Sequence, residues 1–196
     1  TRILGIIPFE KALTYPSVGF IAEKLFAKAV TGVAGMDRVI KNIFVGAMAA
    51  DPDHKNTLAN IINKENKLII TGGCSPNPAG RMDEHHGVLD RPEQIAFHRP
   101  IVDAVHAAGG RIALQILHAG RYGRHKDLVG ASDLPAPINR LKPHALTEAE
   151  VEQTIDDFAA CAALAQTAGY DGVEIMGSEG YLITQFTALR TNNRTD

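Results

Sequence analysis

Apolar residues recur along this chain in two alternating rhythms. "KLIITGG" (Lys67–Gly73) is a short apolar run closed by glycines and reads as a strand. "RPEQIAFHRPIVDAVHAAGG" (Arg91–Gly110) switches to helical spacing, with Ile95, His98, Val102 and Val105 on roughly one face. Gly109–Gly110 close that helix, and Pro100 inside it predicts a kink. "RIALQILH" (Arg111–His118) returns to strict alternation: Ile112, Leu114, Ile116 and His118 on one side, Ala113, Gln115 and Leu117 on the other. A loop rich in Gly, Pro, Asp and Ser then runs to about Leu146. From Thr147 the spacing is helical again. Thr147 and Glu150 form a capping box, Val151, Ile155, Phe158 and Ala162 predict one buried stripe, and Gly169 is placed to terminate the helix. "DGVEIM" (Asp171–Met176) begins the last clear strand. Upstream, "NIFVGAM" (Asn42–Met48) reads as a strand, and the stretch from Ala22 to Asn42 is compatible with a helix.

Strands alternating with helices of this length predict βαβ units and a parallel sheet. In such architectures the site lies beyond the C-terminal strand ends. Four ends are readable: "VGAMAA", "TGGCSP", "LQILHAGRY" and "EIMGSEGYL". A complete β/α barrel needs eight strands and typically about 250 residues, so four strands in 196 residues predict about half a barrel.

Composition narrows the function. The chain is 45% apolar and 21% charged, a globular balance, and its net charge of -2 with no basic stripe argues against nucleic acid or an anionic membrane as partner. No apolar run approaches the ~18 residues of a membrane span. The two distant cysteines, Cys74 and Cys161, suit a reducing cytoplasm and are too few for an iron–sulfur cluster. The eight histidines show no metal-ligand spacing, so no metal site is expected. "TRILGIIPFEKAL" lacks the apolar core of a secretory signal, and its leading Thr suggests a processed or partial chain.

Several strand-end residues carry candidate chemistry, each beside a plainer alternative. Gly72–Gly73 can admit a flat ligand to the backbone or simply turn the chain. Gln115 is an amide in an apolar strand and needs a partner, either a ring with donor and acceptor edges or a backbone group. His118, Arg121, Arg124 and His125 predict positive charge suited to an anion, or else a solvated loop. Tyr181, two residues past Glu179, is a candidate proton donor or an apolar rim residue. Arg190 can clamp a carbonyl, carboxylate or phosphate, or pair with a surface carboxylate. A Schiff-base aldolase would need a lysine at a strand end, but Lys67 begins its strand.

Taken together, "VHAAGGRIALQILHAGRY" and "GYDGVEIMGSEGYLITQFTALRTNNRTD" resemble the Old Yellow Enzyme family of flavin reductases, most closely its bacterial 2,4-dienoyl-CoA reductase branch. The resemblance is strong over 67–196, thin over 42–66 and nearly absent before 40. It divides the chain into a poorly matched segment, 1–40, and a partial barrel, 41–196. It implies a (β/α)₈ barrel holding FMN at its C-terminal mouth, with Ala47 and Met48 lining the ring, Gly73 near it and Gln115 hydrogen-bonded to its pyrimidine edge. It further implies Tyr181 as proton donor, Arg190 at the substrate mouth and an enoyl or dienoyl thioester as substrate. Typical members carry His and Asn where this chain has Met176 and Glu179, and "MGSEGY" resembles the dienoyl-CoA reductase version. Ala49 stands where a histidine is usual there, and Asp51–Asn66 is shorter than the expected helix. In the resembling family the second half-barrel, the 4Fe-4S, FAD and NADPH sites follow beyond "NNRTD". The implied activity is reduction of an activated C=C bond; the alternative is a flavin-free half-barrel acting as an assembly module. A complementing half-barrel or self-association is the expected protein partner.

Overall fold

The computed structural model describes residues 42–45 and 67–196. Its main sheet has four strands, β1 (Asn42–Val45), β2 (Lys67–Cys74), β3 (Arg111–Ile116) and β6 (Gly172–Ile175). They lie side by side in chain order, and every pairing is parallel. The crossovers are helical: α1 (Ile95–Ala107) links β2 to β3, and α2 (Glu148–Ala168) links β3 to β6. A short helix, α3 (Leu182–Thr187), follows β6. Consecutive parallel neighbours joined by helices are the repeating unit of a β/α barrel, here four strands of it. Apart from Asn42, the expected helix over Ala22–Asn42, the strand end at Ala47 and Met48, and the segment Asp51–Asn66 lie outside the described residues.

Both faces of β3 are buried from Ile112 to Ile116. Ile112, Leu114 and Ile116 of β3 are fully buried beneath the helices with Ile69, Val102, Val105, Cys161 and Ala165. Helix α1 buries His98, Ile101, Val102 and Val105, close to the predicted face, and runs through Pro100. Helix α2 opens on the predicted capping box: Thr147 Oγ1 accepts from Glu150 N at 3.3 Å, and Thr147 N donates to Glu150 Oε2 at 2.8 Å. It ends at Gly169, whose φ of 102° is left-handed.

The α2 stripe is rotated from its prediction. The residues sealed against the sheet are Thr154, Cys161, Ala165 and Ala168. Small side chains there let the helix lie close to β3 and β6. Ile155, expected to be buried, is 56% exposed.

The segment between β3 and α2 holds more order than its composition suggests. It contains a two-stranded parallel pair, β4 (Val129–Gly130) and β5 (His144–Ala145). Asn139 Nδ2 donates to the carbonyls of Arg121 and Gly123, at 3.2 and 2.8 Å. Val129 and Leu146 bury against Leu182 of α3.

Candidate active site

A bulge in β2 shapes the inner face of the sheet. Between Ile70 and Gly73 the register with β3 slips, so that Ile70 faces Ala113 but Gly73 faces Gln115. The displaced Thr71 turns its hydroxyl to accept the Gln115 backbone N–H at 3.0 Å. This partner had no sequence signal beyond the neighbouring glycines. β6 completes the row, with Glu174 opposite Gln115.

Gln115 is 8% exposed, and its side-chain amide makes no hydrogen bond among the described residues. Glu174 Oε2 is likewise buried without a partner. Two neighbouring polar groups are therefore left open on one inward-facing row. Gly73 sits beside them, and a Cβ there would come within 2.8 Å of Leu117 Cβ and Cδ1. The space above Gly73 is thus taken by Leu117, while its carbonyl accepts from His86 Nε2 at 2.7 Å. His86 Nδ1 accepts from Met82 N at 3.0 Å, so Nε2 carries the proton. This neutral histidine pins the loop after β2 to the strand end.

The turn after β6 places Tyr181. Glu179 and Gly180 have successive left-handed φ values of 63° and 83°. Leu182 N then donates to His118 O at 3.0 Å, tying the turn to the end of β3. Tyr181 packs edge-on against Tyr122, ring centroids 6.0 Å apart. Burial, then Glu179 and Tyr122, push its phenol above the usual tyrosine value. Gly180 is required by Tyr122, whose Cε2 would lie 2.8 Å from any added Cβ.

Gln185 locks this corner. It is 1% exposed; its Nε2 donates to Gly180 O at 2.8 Å and its Oε1 accepts from Arg121 N at 3.1 Å. A polar residue inside "LITQF" was the available signal for it.

The expected cationic cluster is corrected by the structure. His118 is 2% exposed, lies under α2 with its ring stacked on Phe158, and is pushed down to about 4, chiefly by burial. It is neutral. Arg121 is directed at the carbonyls of Leu134 and Pro135, and its guanidinium lies over Tyr122. His125 is buried, with Nε2 donating to Arg81 O at 3.0 Å. Arg124 is the exposed member. Arg190 is also exposed and makes no hydrogen bond among the described residues. The arginine held in place is Arg194, bonded to the carbonyls of Leu146 and Ala131 and stacked over Phe186.

Gly73 and Gln115 are thus brought side by side, and Tyr181 stands at the C-terminal end of the same sheet. Ala47 and Met48 lie outside the described residues. No group of three or more potential metal ligands occurs among the described residues. Both cysteines are free and buried; burial pushes the Cys161 thiol up to about 12 and Cys74 higher still, so neither is a nucleophile at neutral pH.

A sequence profile of the NADH:flavin oxidoreductase / NADH oxidase family matches residues 37–196. The chain belongs to this family. Among its relatives, the metal reductase of Desulforamulus reducens is 40% identical over 136 residues, 66% of this chain and 20% of its own. An NADPH dehydrogenase of Halalkalibacterium halodurans is 32% identical over 184 residues, 89% of this chain and 54% of its own. The solved Old Yellow Enzyme homologue of Zymomonas mobilis superposes with a TM-score of 0.72 at 26% identity, over 81% of this chain and 51% of that one. The chain therefore spans about half of such a structure, and the half-barrel expectation and the family resemblance agree with these matches.

The open polar row fits the family's flavin. A free amide presents both donor and acceptor, as the pyrimidine edge of an isoalloxazine demands. Gln115 and the backbone flanking the Thr71–Gly72 bulge are the described groups able to hold that edge.

Proposed function

We propose that this chain forms one half of an FMN-dependent reductase of activated C=C bonds, with an enoyl or dienoyl thioester as substrate in the manner of 2,4-dienoyl-CoA reductase. FMN, when bound, supplies the hydride. Gln115 fixes the ring edge, so that the ring is held rather than floating in the mouth. Tyr181 carries the proton to be delivered to the substrate carbon: its raised phenol stays protonated throughout the neutral range. Arg190, exposed and free of hydrogen bonds among the described residues, is the substrate-side cation. Met176 and Glu179 stand where a His–Asn pair would grip a simple enone oxygen, which supports a thioester branch. The two buried free thiols fit a cytoplasmic setting.

The observation that carries this reading is the Gln115 amide, 8% exposed and without a hydrogen bond among the described residues. A bound ring would give both ends of that amide the partners they lack among the described residues. The test is flavin reconstitution. Protein incubated with FMN and desalted should retain flavin absorbance. Gln115→Ala should weaken binding by ~5–100-fold, the equivalent of one to three kcal/mol. Colourless protein, or unchanged FMN affinity in the variant, would refute the assignment. The second reading, a flavin-free assembly module, is favoured by the edge of β6, unpaired among the described residues, and takes over if no flavin binds.

A further inference from the structure

We propose that Tyr122, in the turn after β3, is the positioning residue of the Tyr181 phenol: its ring lies across the turn after β6 and fixes the direction in which that side chain points. The inference rests on the reading of Tyr181 as proton donor and brings a residue from a second strand end into that chemistry. Tyr181 precedes α3 as its N-cap, with φ -70° and ψ -176°, an extended backbone. Its carbonyl accepts from Gln185 N at 3.0 Å, and its N–H donates to Ser178 O at 3.4 Å. The backbone is held from both sides. The side chain makes no capping bond, so its direction is left to what packs against the ring.

What packs there is Tyr122. The two rings meet edge to face, centroids 6.0 Å apart and planes at 83°. That arrangement sets the positive edge of one ring against the negative face of the other. Tyr122 also touches the residue before Tyr181. A Cβ on Gly180 would lie 2.8 Å from Tyr122 Cε2 and 3.0 Å from its hydroxyl oxygen, so the ring is seated on the turn itself. One side chain thus bears on both the turn and the ring it carries. Tyr122 is in turn held. It ends the short 3-10 turn Gly120–Tyr122, and its N–H donates to Ala119 O at 3.2 Å. Arg121 N donates to Gln185 Oε1 at 3.1 Å, while Gln185 Nε2 donates to Gly180 O at 2.8 Å. That amide ties the two turns together, and Tyr122 carries the alignment to Tyr181.

The same contact affects how firmly the phenol holds its proton. Burial is the largest cause of its upward shift, followed by Glu179 and Tyr122. Glu179 belongs to the same turn as Tyr181. Arg121, the charged group on the β3 side, has its guanidinium 5.8 Å from the Tyr122 ring centroid. Removing the Tyr122 ring uncovers Tyr181 and takes away a neighbouring phenol, so the Tyr181 phenol should fall back toward 10. Removing the Tyr122 hydroxyl alone keeps the cover, so the fall should be smaller.

The test is nuclear magnetic resonance of the full chain, without FMN, labelled at tyrosine Cζ. The chain has four tyrosines, so Tyr181→Phe identifies the Tyr181 signal by difference. In the wild type the ring protons of Tyr122 and Tyr181 should show a nuclear Overhauser effect. The Tyr181 titration midpoint should fall in the order wild type, Tyr122→Phe, Tyr122→Leu. In a preparation that reduces a dienoyl thioester, Tyr122→Leu should lower kcat ~10–100-fold with KM and FMN retention little changed, and Tyr122→Phe should stay within about threefold of wild type. Absence of the ring contact in the wild type would overturn the proposal. So would a Tyr181 midpoint unmoved in Tyr122→Leu, or wild-type turnover in that variant where Tyr181→Phe is slow. Wild-type turnover in Tyr181→Phe would instead sink the donor reading alone, since the ring contact and the titration are measured without FMN or turnover.

Discussion

Acidification should unfold this protein through its buried imidazoles, with His118 the largest contributor. Its side chain is 2% exposed, stacked on Phe158, and its Nδ1 accepts from Gly120 N at 3.1 Å. The proton therefore sits on Nε2, which is buried without an acceptor. A second proton would occupy the very nitrogen that Gly120 uses. Burial pushes the group from 6.5 to about 4, with nearby Asp157 opposing and His125 adding to the fall. Below pH 6.5 the unfolded chain binds a proton that the native state refuses, so stability declines until about pH 4. At ~1.4 kcal/mol for each tenfold change in proton concentration, His118 alone removes roughly 3 kcal/mol over that window. That is a large share of the ~5–15 kcal/mol typical of a domain. His86 and His98 are also lowered, mainly by burial, and steepen the decline in the same direction. Urea unfolding followed by circular dichroism at pH 7.5, 6.5, 5.5 and 4.5 measures it. In His118→Phe the dependence should lose about one proton's worth of slope, while stability at pH 7.5 falls by ~1–3 kcal/mol because the buried Gly120 N–H loses its acceptor. An unchanged slope in the variant would refute the account.

Gly180→Ala should cost at least ~1–2 kcal/mol, because φ is 83° and the new methyl meets Tyr122; a smaller loss in thermal or urea unfolding would show that the turn relaxes freely. Thr147→Ala should remove ~1 kcal/mol by opening the capping box, read by the same unfolding assay. Tyr181→Phe should leave FMN retention intact and slow turnover ~10²–10⁴-fold in a preparation that reduces a dienoyl thioester; unchanged turnover would remove the phenol from the chemistry. Because its phenol is raised above 10, the wild-type rate should hold to a higher pH than a free tyrosine would allow, and then fall as the proton is lost.

Local order was legible along the chain because it depends on neighbours in sequence. Alternation in "RIALQI" separated the buried Ile112, Leu114 and Ile116 from the inward Gln115. The capping box and Gly169 delimited α2 within a residue, since both act over a single helical turn. The conjunction of two strand-end motifs was specific enough to indicate the family and its half-barrel. What failed was whatever depends on a distant surface. Ile155 shares a helical face with Val151 and Phe158, yet whether that face is covered is decided by what packs on it, and β6 leaves it open. His118 looked cationic beside two arginines, but α2 lies over it and burial strips the charge.

The sequence alone thus determined strand and helix identity, their parallel order, and the placement of Gln115 and Tyr181 at strand ends, because period and capping are properties of consecutive residues. The tertiary structure decided the rest. It supplied the Thr71 hydroxyl to the Gln115 backbone, made Gln185 the clamp under the tyrosine turn, neutralised His118 and held Arg194 rather than Arg190. Those outcomes turn on which groups from remote segments exclude water from one another, and pairwise distance across the fold is not encoded in local spacing.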